Sequence, residues 1–319
     1  MENISRYTIN NMKGFFSSQL DQWPLARENY NGLERVMLKD VPMPGGSLVR
    51  VQFNPARMRS SAARVDKKSI SERPCFLCKS NLPPQQEYIV FYNRYLILVN
   101  PFPIFKRHLT IALESHEDQL IAGRFADMMR LAEALEDYTL FYNGPRCGAS
   151  APDHFHFQAG ARGFMPVEME VNYLDRKRIA GDGTANISYI GNYHRHTIVM
   201  EGTGTDRLEQ WFTRIYNILH QMQGKEDEPM LNMLAGYNGR YYTVVVFPRA
   251  RHRPAQFFEE GKCQILMSPA SVDFGGLWIT PRPEDFEKID AAVVADIFGQ
   301  VSLGEDEWTE LLDRLISGE

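Results

Sequence analysis

The stretch that most limits what this chain can become is 143–160, NGPRCGASAPDHFHFQAG. His154, His156 and Gln158 alternate there with Phe155, Phe157 and Ala159. A period of two is that of a β-strand, whose successive side chains point to opposite faces. The pattern predicts a strand over 154–160 with His154, His156 and Gln158 on one face and the aromatic set buried behind it. The small-residue loop GPRCGAS, entered from Asn143, brings Gly148, Ser150 and a run of backbone N–H groups to the head of that strand. A concave run of N–H groups can hold a phosphate.

The flanking sequence supplies partners for such a strand. EYIVFY, YLILVN and HLTIAL (87–113) read as three strands, and YTLFYN (138–143) as a fourth. Between them, Ser115 with Asp118 three residues on suggests a capped helix start, with Leu120, Ile121, Phe125, Met128, Leu131 and Leu135 facing a core and an end near Asp137. An N-terminal helix is expected over about Met12–Leu25. Further on, 206–222 is amphipathic, and 230–248 reads as a hairpin turned at Asn-Gly. LWIT (277–280) is a further strand, and helices are expected near 283–299 and 304–317. Strands with segregated helices predict an α+β fold with antiparallel sheets. The basic segment 46–74 reads either as a solvated linker or as an arm that supplies a phosphate contact.

Alternating histidines on a strand can be no more than a polar sheet face. They are also what phosphoryl or nucleotidyl transfer needs. Imidazole has an ordinary pKa near 6.5, so it is largely neutral and nucleophilic near pH 7, and it splits one displacement into two. A nearby glutamine can donate N–H to a non-bridging oxygen in the transition state. A second pair two apart, His194 and His196 in NYHRHTIVM, lacks both the small-residue loop and the glutamine, and there the structural reading is preferred.

Net charge is −5 with 35 basic and 40 acidic residues, which argues against a nucleic-acid backbone as the main partner. No apolar run is long enough to span a membrane, and the first residues lack a secretory pattern, so a cytoplasmic protein is expected. Four cysteines in 319 residues make no disulfide framework. Cys75 and Cys78 form one CxxC, half of a zinc site, which His108 and His154 could complete; the alternative is two ordinary buried cysteines.

Taken together, DHFHFQAG, CFLCKSN (75–81), VNPFPIFKRHLTIAL (99–113), NYHRHTIVMEG and SPASVDFGGLWITPRPEDFE (268–287) resemble the histidine-triad superfamily in its transferase branch, where His-x-His-x-Gln replaces a third histidine. That branch holds the galactose-1-phosphate uridylyltransferases, diadenosine tetraphosphate phosphorylases and GDP-hexose phosphorylases, and the resemblance is to the last above all. It implies that His156 is a nucleophile forming a covalent nucleotidyl-histidine and that Gln158 contacts the transferred phosphoryl group. It implies that Asn143, Gly148, Ser150, Asn100 and Phe76 lie against the nucleotide, and Asp273, Phe274 and Gly275 near the sugar. It also implies that Cys75, Cys78, His108 and His154 hold a structural zinc. One departure is Ala151, which stands five residues before His156 where many relatives have the loop serine; Ser150 is one position earlier. The cluster Arg249, Arg251, His252 and Arg253 is either a solvated loop or an acceptor-phosphate site.

The expectation is therefore two related halves: a helical extension over 1–48, a catalytic half over 49–185, and a second half over 186–319 without the motif. The expected activity is phosphorolysis of a nucleoside diphosphate sugar, with a GDP-hexose foremost and inorganic phosphate as acceptor. No organic cofactor, nucleic acid or membrane is expected, and a homodimer is left open. The alternatives are a dinucleoside polyphosphate phosphorylase and a non-catalytic, zinc-stabilised nucleotide-binding protein.

Overall fold

The computed structural model describes residues 4–57, 69–70, 72–224 and 226–318. Ten strands form one sheet. In chain order its first five are β3 (Tyr88–Phe91), β4 (Tyr95–Val99), β5 (His108–Leu113), β6 (Tyr138–Asn143) and β7 (His156–Ala161). Its second five are β8 (Arg176–Gly181), β9 (Ala185–Ile190), β10 (Ile198–Gly202), β11 (Leu231–Tyr237) and β12 (Tyr242–Pro248). The order across the sheet is β3-β4-β5-β7-β6-β11-β12-β10-β9-β8, and every pairing is antiparallel.

The second five strands repeat the order of the first about the β6–β11 seam. A helix stands at the same point in each half, α3 (Phe125–Ala134) between β5 and β6 and α5 (Asp206–Gln223) between β10 and β11. The register makes the correspondence residue by residue. In the first half Leu98 pairs with Thr110, Thr110 with Gln158, and Gln158 with Phe141. In the second, Ser188 pairs with Val199, Val199 with Val245, and Val245 with Leu234. Phe141 pairs with Leu234 across the seam. Gln158 thus corresponds to Val245, and His156 to Thr243.

Elsewhere the chain contributes α1 (Met12–Gln22), α2 (Pro24–Gly32), α4 (Val167–Tyr173), α6 (Ser271–Phe274), α7 (Pro283–Lys288), α8 (Ala291–Val301) and α9 (Glu305–Ser317). A small sheet holds β1 (Met37–Pro42), β2 (Leu48–Phe53) and β13 (Leu277–Thr280), with β13 parallel to β2. One face of the large sheet is packed by α1, α3, α5 and α9, through side chains such as Phe15, Phe125, Trp211 and Leu311. On the other face, Leu234, Val245 and Val199 are buried under the small sheet and α4, α6 and α8, through Trp278, Val272 and Phe298. No helix among the described residues is long and apolar enough to cross a membrane.

Several expectations need correction. The expected N-terminal helix is two, because Pro24 cannot continue α1 and instead opens α2. Residues 48–53 of the supposed linker are β2; Arg50 pairs with Asp40 at 2.8 Å, while Arg59, Arg64, Lys67 and Lys68 lie outside the described residues. The helix expected from Ser115 begins only at Phe125 and ends at Ala134. Residues 113–119 are held instead by the segment before β7: Leu113 N–H donates to Phe155 O, Phe155 N–H to Glu117 O and Gln119 N–H to Pro152 O. The helix expected over 283–299 is α7 and α8, separated where Asp290 caps α8 by accepting from Val293 N–H at 2.9 Å. The β8–β9 hairpin forms the outer edge of the second five strands.

Candidate active site

A cavity of about 710 Å³ opens on the first half of the sheet. Its floor is the cross-strand row Leu98, Thr110, Gln158 and Phe141. Asn143, Gly148, Ala149 and Ser150 line it beside Gln158, and Asn100 and Phe76 line it toward Leu98. Asp273 lines it beyond Phe141. Phe274 and Gly275 do not. Phe274 is fully buried against Phe247 and Phe298, and Gly275 packs on Met165, so the sugar-side expectation narrows to Asp273. His252 and Arg253 also line the cavity, whereas Arg249 is fully buried and Arg251 is exposed.

His156 starts β7 and is 3 % exposed; it is two residues from Gln158, which lines the cavity, but is not itself a lining residue. Its Nδ1 stands 2.9 Å from the carbonyl of His154. A carbonyl only accepts, so the proton sits on Nδ1 and the lone pair on Nε2. That Nε2 makes no hydrogen bond among the described residues. Burial lowers the imidazole pKa to about 4, so the ring is neutral near pH 7.

Gln158 is oriented by His108. Ile104 N–H donates to His108 Nδ1 at 3.2 Å, which leaves the proton on Nε2, 3.0 Å from Gln158 Oε1. Burial, then the Arg57 charge, holds the His108 pKa down to about 3, so the imidazole is neutral and the tautomer is set. The Gln158 oxygen is thereby occupied and its NH2 group is left for the cavity. Asn143 is treated in the same way: its Oδ1 accepts from Asn232 Nδ2 at 3.0 Å and from Ser271 N–H and Oγ at 2.8 and 2.6 Å. Its amide N–H2 is likewise left over. The main-chain N–H groups of Gly148, Ala149 and Ser150 make no hydrogen bond among the described residues either. The site is thus a set of neutral donors beside a neutral imidazole, with Arg57, Arg73 and Arg253 on the walls.

Gly148 is required by geometry. Its φ is +95°, and a Cβ there would fall 2.5 Å from the Cβ of Ala270. Gln119, which the sequence reading did not single out, also belongs to the site. Strands β6 and β7 are paired up to Phe141–Gln158, and the next rungs would bring Asn143 opposite His156. Instead the fully buried Gln119 carboxamide stands between them. Its Oε1 accepts from His156 N–H at 2.7 Å, and its Nε2 donates to His156 O at 2.9 Å and to Asn143 O at 3.0 Å. The sheet is thereby opened where the loop leaves it. No pattern in the sequence pointed to it, because the partners of Gln119 lie 24 and 37 residues away in the chain.

His154 does not share the face of His156 and Gln158, because it lies in the turn before β7. It joins Cys75, Cys78 and His116, whose ligand atoms all lie within 4.8 Å of one another. Cys75 Sγ is 3.2 Å and Cys78 Sγ 3.6 Å from His154 Nδ1, and Cys78 Sγ is 3.2 Å from His116 Nδ1. A tetrahedral zinc with bonds of about 2.3 Å to sulfur and 2.0–2.1 Å to nitrogen needs sulfur and nitrogen about 3.5 Å apart, so the donor set fits. His154 Nε2 is 2.7 Å from Leu113 O, which fixes its proton there and leaves Nδ1 as the ligand atom. The expectation of His108 as the fourth ligand is therefore corrected to His116. His108 is inside β5 with Nε2 committed to Gln158, whereas His116 lies beyond the strand end and reaches the CxxC.

The comparisons with known proteins agree with this architecture. A family model described as a domain of unknown function, DUF4922, matches residues 15–161, and one described as the GDPGP1-like C-terminal domain matches residues 170–317. Among curated proteins, none matches the sequence significantly. Yeast Ap4A phosphorylase Apa2 is structurally similar, with TM-score 0.63 and 16% identity over 92% of this chain and 98% of that one. The same enzyme in complex with Ap4A gives 0.61 and 15% over 89% and 98%, and in complex with AMP 0.57 and 15% over 90% and 97%. The fold is thus similar to that of Apa2, and the second half matches the GDPGP1-like C-terminal domain. In both respects the chain resembles the GDP-hexose and Ap4A phosphorylases.

Proposed function

We propose that this protein is a phosphorylase that transfers the nucleotidyl group of a nucleoside diphosphate sugar, a GDP-hexose, by way of a covalent nucleotidyl-His156. The observation that carries the reading is the His156 imidazole, with Nδ1–H tied to the His154 carbonyl and Nε2 unspent, two residues ahead of a glutamine whose NH2 is turned outward. His156 Nε2 attacks the α-phosphorus. The N–P bond forms, and the bond from that phosphorus to the bridging oxygen breaks. Sugar 1-phosphate leaves with the electron pair. An oxygen of inorganic phosphate then attacks the same phosphorus, the N–P bond breaks, and nucleoside diphosphate departs with the imidazole neutral again.

The positive charge on the intermediate imidazolium is offset by the His154 carbonyl. Charge on the non-bridging oxygens is met by the amides of Gln158 and Asn143 and the N–H groups of 148–150. A phosphate leaving group requires no strong acid, which suits a glutamine at position 158. Cys75, Cys78, His116 and His154 would hold a zinc ion whose contribution is structural, fixing the turn from which β7 starts.

The likeness to Apa2 along most of both chains favours a second reading, in which the leaving group is a nucleotide and the substrate a dinucleoside polyphosphate. The covalent step is the same. Intact-protein mass after mixing with GDP-hexoses, UDP-hexoses and Ap4A decides: a gain of one nucleoside monophosphate in wild type and none in His156→Ala is expected, and its size names the base. No adduct from any of them, with no product when phosphate is added, would leave a nucleotide-binding protein without transfer activity.

A further inference from the structure

Glu228 is a buried acid that the proposed reaction leaves without a task. It stands between α5 and β11, 2 % exposed, and no ion pair reaches it among the described residues. We propose that Glu228 carries a proton and, through Tyr142 and Gln119, positions His156 and Asn143 for the transfer. The inference rests on the proposed transfer reaction for the role given to His156.

Counting protons is the first support. Tyr142 Oη lies 3.0 Å from Gln119 O and 2.6 Å from Glu228 Oε1. A phenol has one proton to donate, and a carbonyl only accepts. With Glu228 ionised, both neighbours of Oη would be acceptors and one would go without a donor. Gln119 O has no other donor among the described residues. With Glu228 protonated, its O–H donates to Oη and the phenol O–H donates to Gln119 O, so both contacts are hydrogen bonds. The second carboxyl oxygen accepts from Ile121 N–H.

The surroundings favour the neutral acid. Tyr142 from β6, Cys147 from the loop and Tyr216 from α5 face the carboxyl. Burial pushes Cys147 up to about 11, Tyr216 up to about 12 and Tyr142 well above its ordinary value, so all three are neutral near pH 7. Arg146 of the same loop is paired with Glu226 at 3.3 Å. Burial also raises Glu228 itself to about 8, against the hydrogen bonds from Tyr142, Ile121 and Ala122, which lower it.

Gln119 is where this proton meets the site. Its carboxamide holds His156 N–H, His156 O and Asn143 O at the point where β6 and β7 part. A Cβ on Gly144, the first loop residue, would fall 3.5 Å from Glu228 Oε1, so the carboxyl also backs the loop. On ionisation the phenol proton turns to the carboxylate, and Gln119 O becomes a buried acceptor without a donor, which is costly. The support under His156 and Asn143 then loosens.

Wild type, Glu228→Gln and Tyr142→Phe, compared at about pH 7.5 and about pH 9.5, test this. Glutamine keeps a donor for Oη and an acceptor for Ile121 N–H but does not titrate. The rate of nucleotidyl adduct formation, followed by intact mass, should fall about fivefold in wild type over that range and stay at the pH 7.5 level in Glu228→Gln. Tyr142→Phe should be about tenfold slower at both pH values. The NMR signal of the His156 imidazole, assigned by its loss in His156→Ala, should shift or broaden over the same range in wild type and not in Glu228→Gln. The ring itself stays neutral there, its pKa being held to about 4. The proposal is overturned if the wild-type rate or His156 signal does not respond, or if Tyr142→Phe keeps the wild-type rate. It is overturned equally if the response survives in Glu228→Gln, which would assign it to another group such as Asp273, raised by burial to about 7. A Glu228-dependent His156 signal in a protein that forms no adduct would sink the transfer reading and keep the positioning network. An adduct whose rate and His156 signal ignore Glu228 would do the reverse.

Discussion

The two halves of the large sheet share strand order, helix placement and register, and differ in one row of side chains. In the first half that row is Leu98, Thr110, Gln158 and Phe141, open to the cavity. In the second it is Ser188, Val199, Val245 and Leu234, buried beneath the small sheet and the C-terminal helices. The connection that enters the row differs as well. The first half inserts residues 144–155 between β6 and β7, whereas the second turns from β11 to β12 over 238–241, with Gly239 at φ +83°. The comparison teaches that the fold alone does not make the site. The site needs a loop long enough to present free N–H groups, polar residues on the strand that follows, and a face left uncovered.

Breaking the first half at Gln158 should have the largest effect among changes that spare His156. Gln158→Leu removes the outward NH2 and is expected to lower kcat by about 10²- to 10³-fold, the size seen when one oxyanion donor is lost. Steady-state rates with the substrate named by the adduct measurement check it. His108→Phe keeps an aromatic ring beside Phe105 and Phe141 but removes the donor that orients Gln158. A loss of about tenfold in kcat with KM nearly unchanged is expected, since the effect passes through another side chain; equal changes in both would point to general damage.

One property should be common to the halves. Burial holds the pKa of His108 to about 3 and of His194, in the second half, to about 2. Both values lie below the 6.5 of the unfolded chain, so between them the unfolded state binds protons that the folded state does not. The stability is complete above pH 6.5 and falls as pH drops toward the folded values. At about pH 5 each histidine accounts for roughly 2 kcal/mol of that fall. Urea unfolding at about pH 7.5 and pH 5 should show His108→Phe and His194→Phe each recovering that amount. The smallest effect is expected where the comparison is pressed hardest: Thr243→His with Val245→Gln, placed in His156→Ala, should form no nucleotidyl adduct by intact mass, because the grafted pair enters a covered face behind a short turn.

Much of this was legible in the chain. The first-half strands from Tyr88 to Ala161 follow from β-branched and aromatic runs, and α5 and α9 from periodicity. The strands β8 and β9 were not legible, since RKRIAG and ANISYI mix polar and small residues and owe their form to pairing with each other and, for β9, with β10. The segment 114–124 reads as helix because Leu120 and Ile121 sit at helical spacing. Long-range bonds to 152–156 overrule that local preference. The same cause hid His116 and Gln119, whose partners are distant in sequence. His108 showed the converse: a histidine near a CxxC in the reading, but on the face of β5 that looks at Gln158 in the fold.

The Asn143 oxygen gives the molecule a schedule. Its donors are Asn232 and Ser271, and Asn232 is in turn gripped by Arg249, itself bound to Pro269 O and Val301 O. In chain order His156 and Gln158 come first, whereas the network that holds the Asn143 amide closes only with residues 232–301. The proposed site is therefore incomplete until the C-terminal helices are made, and a chain cut short before Val301 should carry the whole motif but lack the support of Asn143.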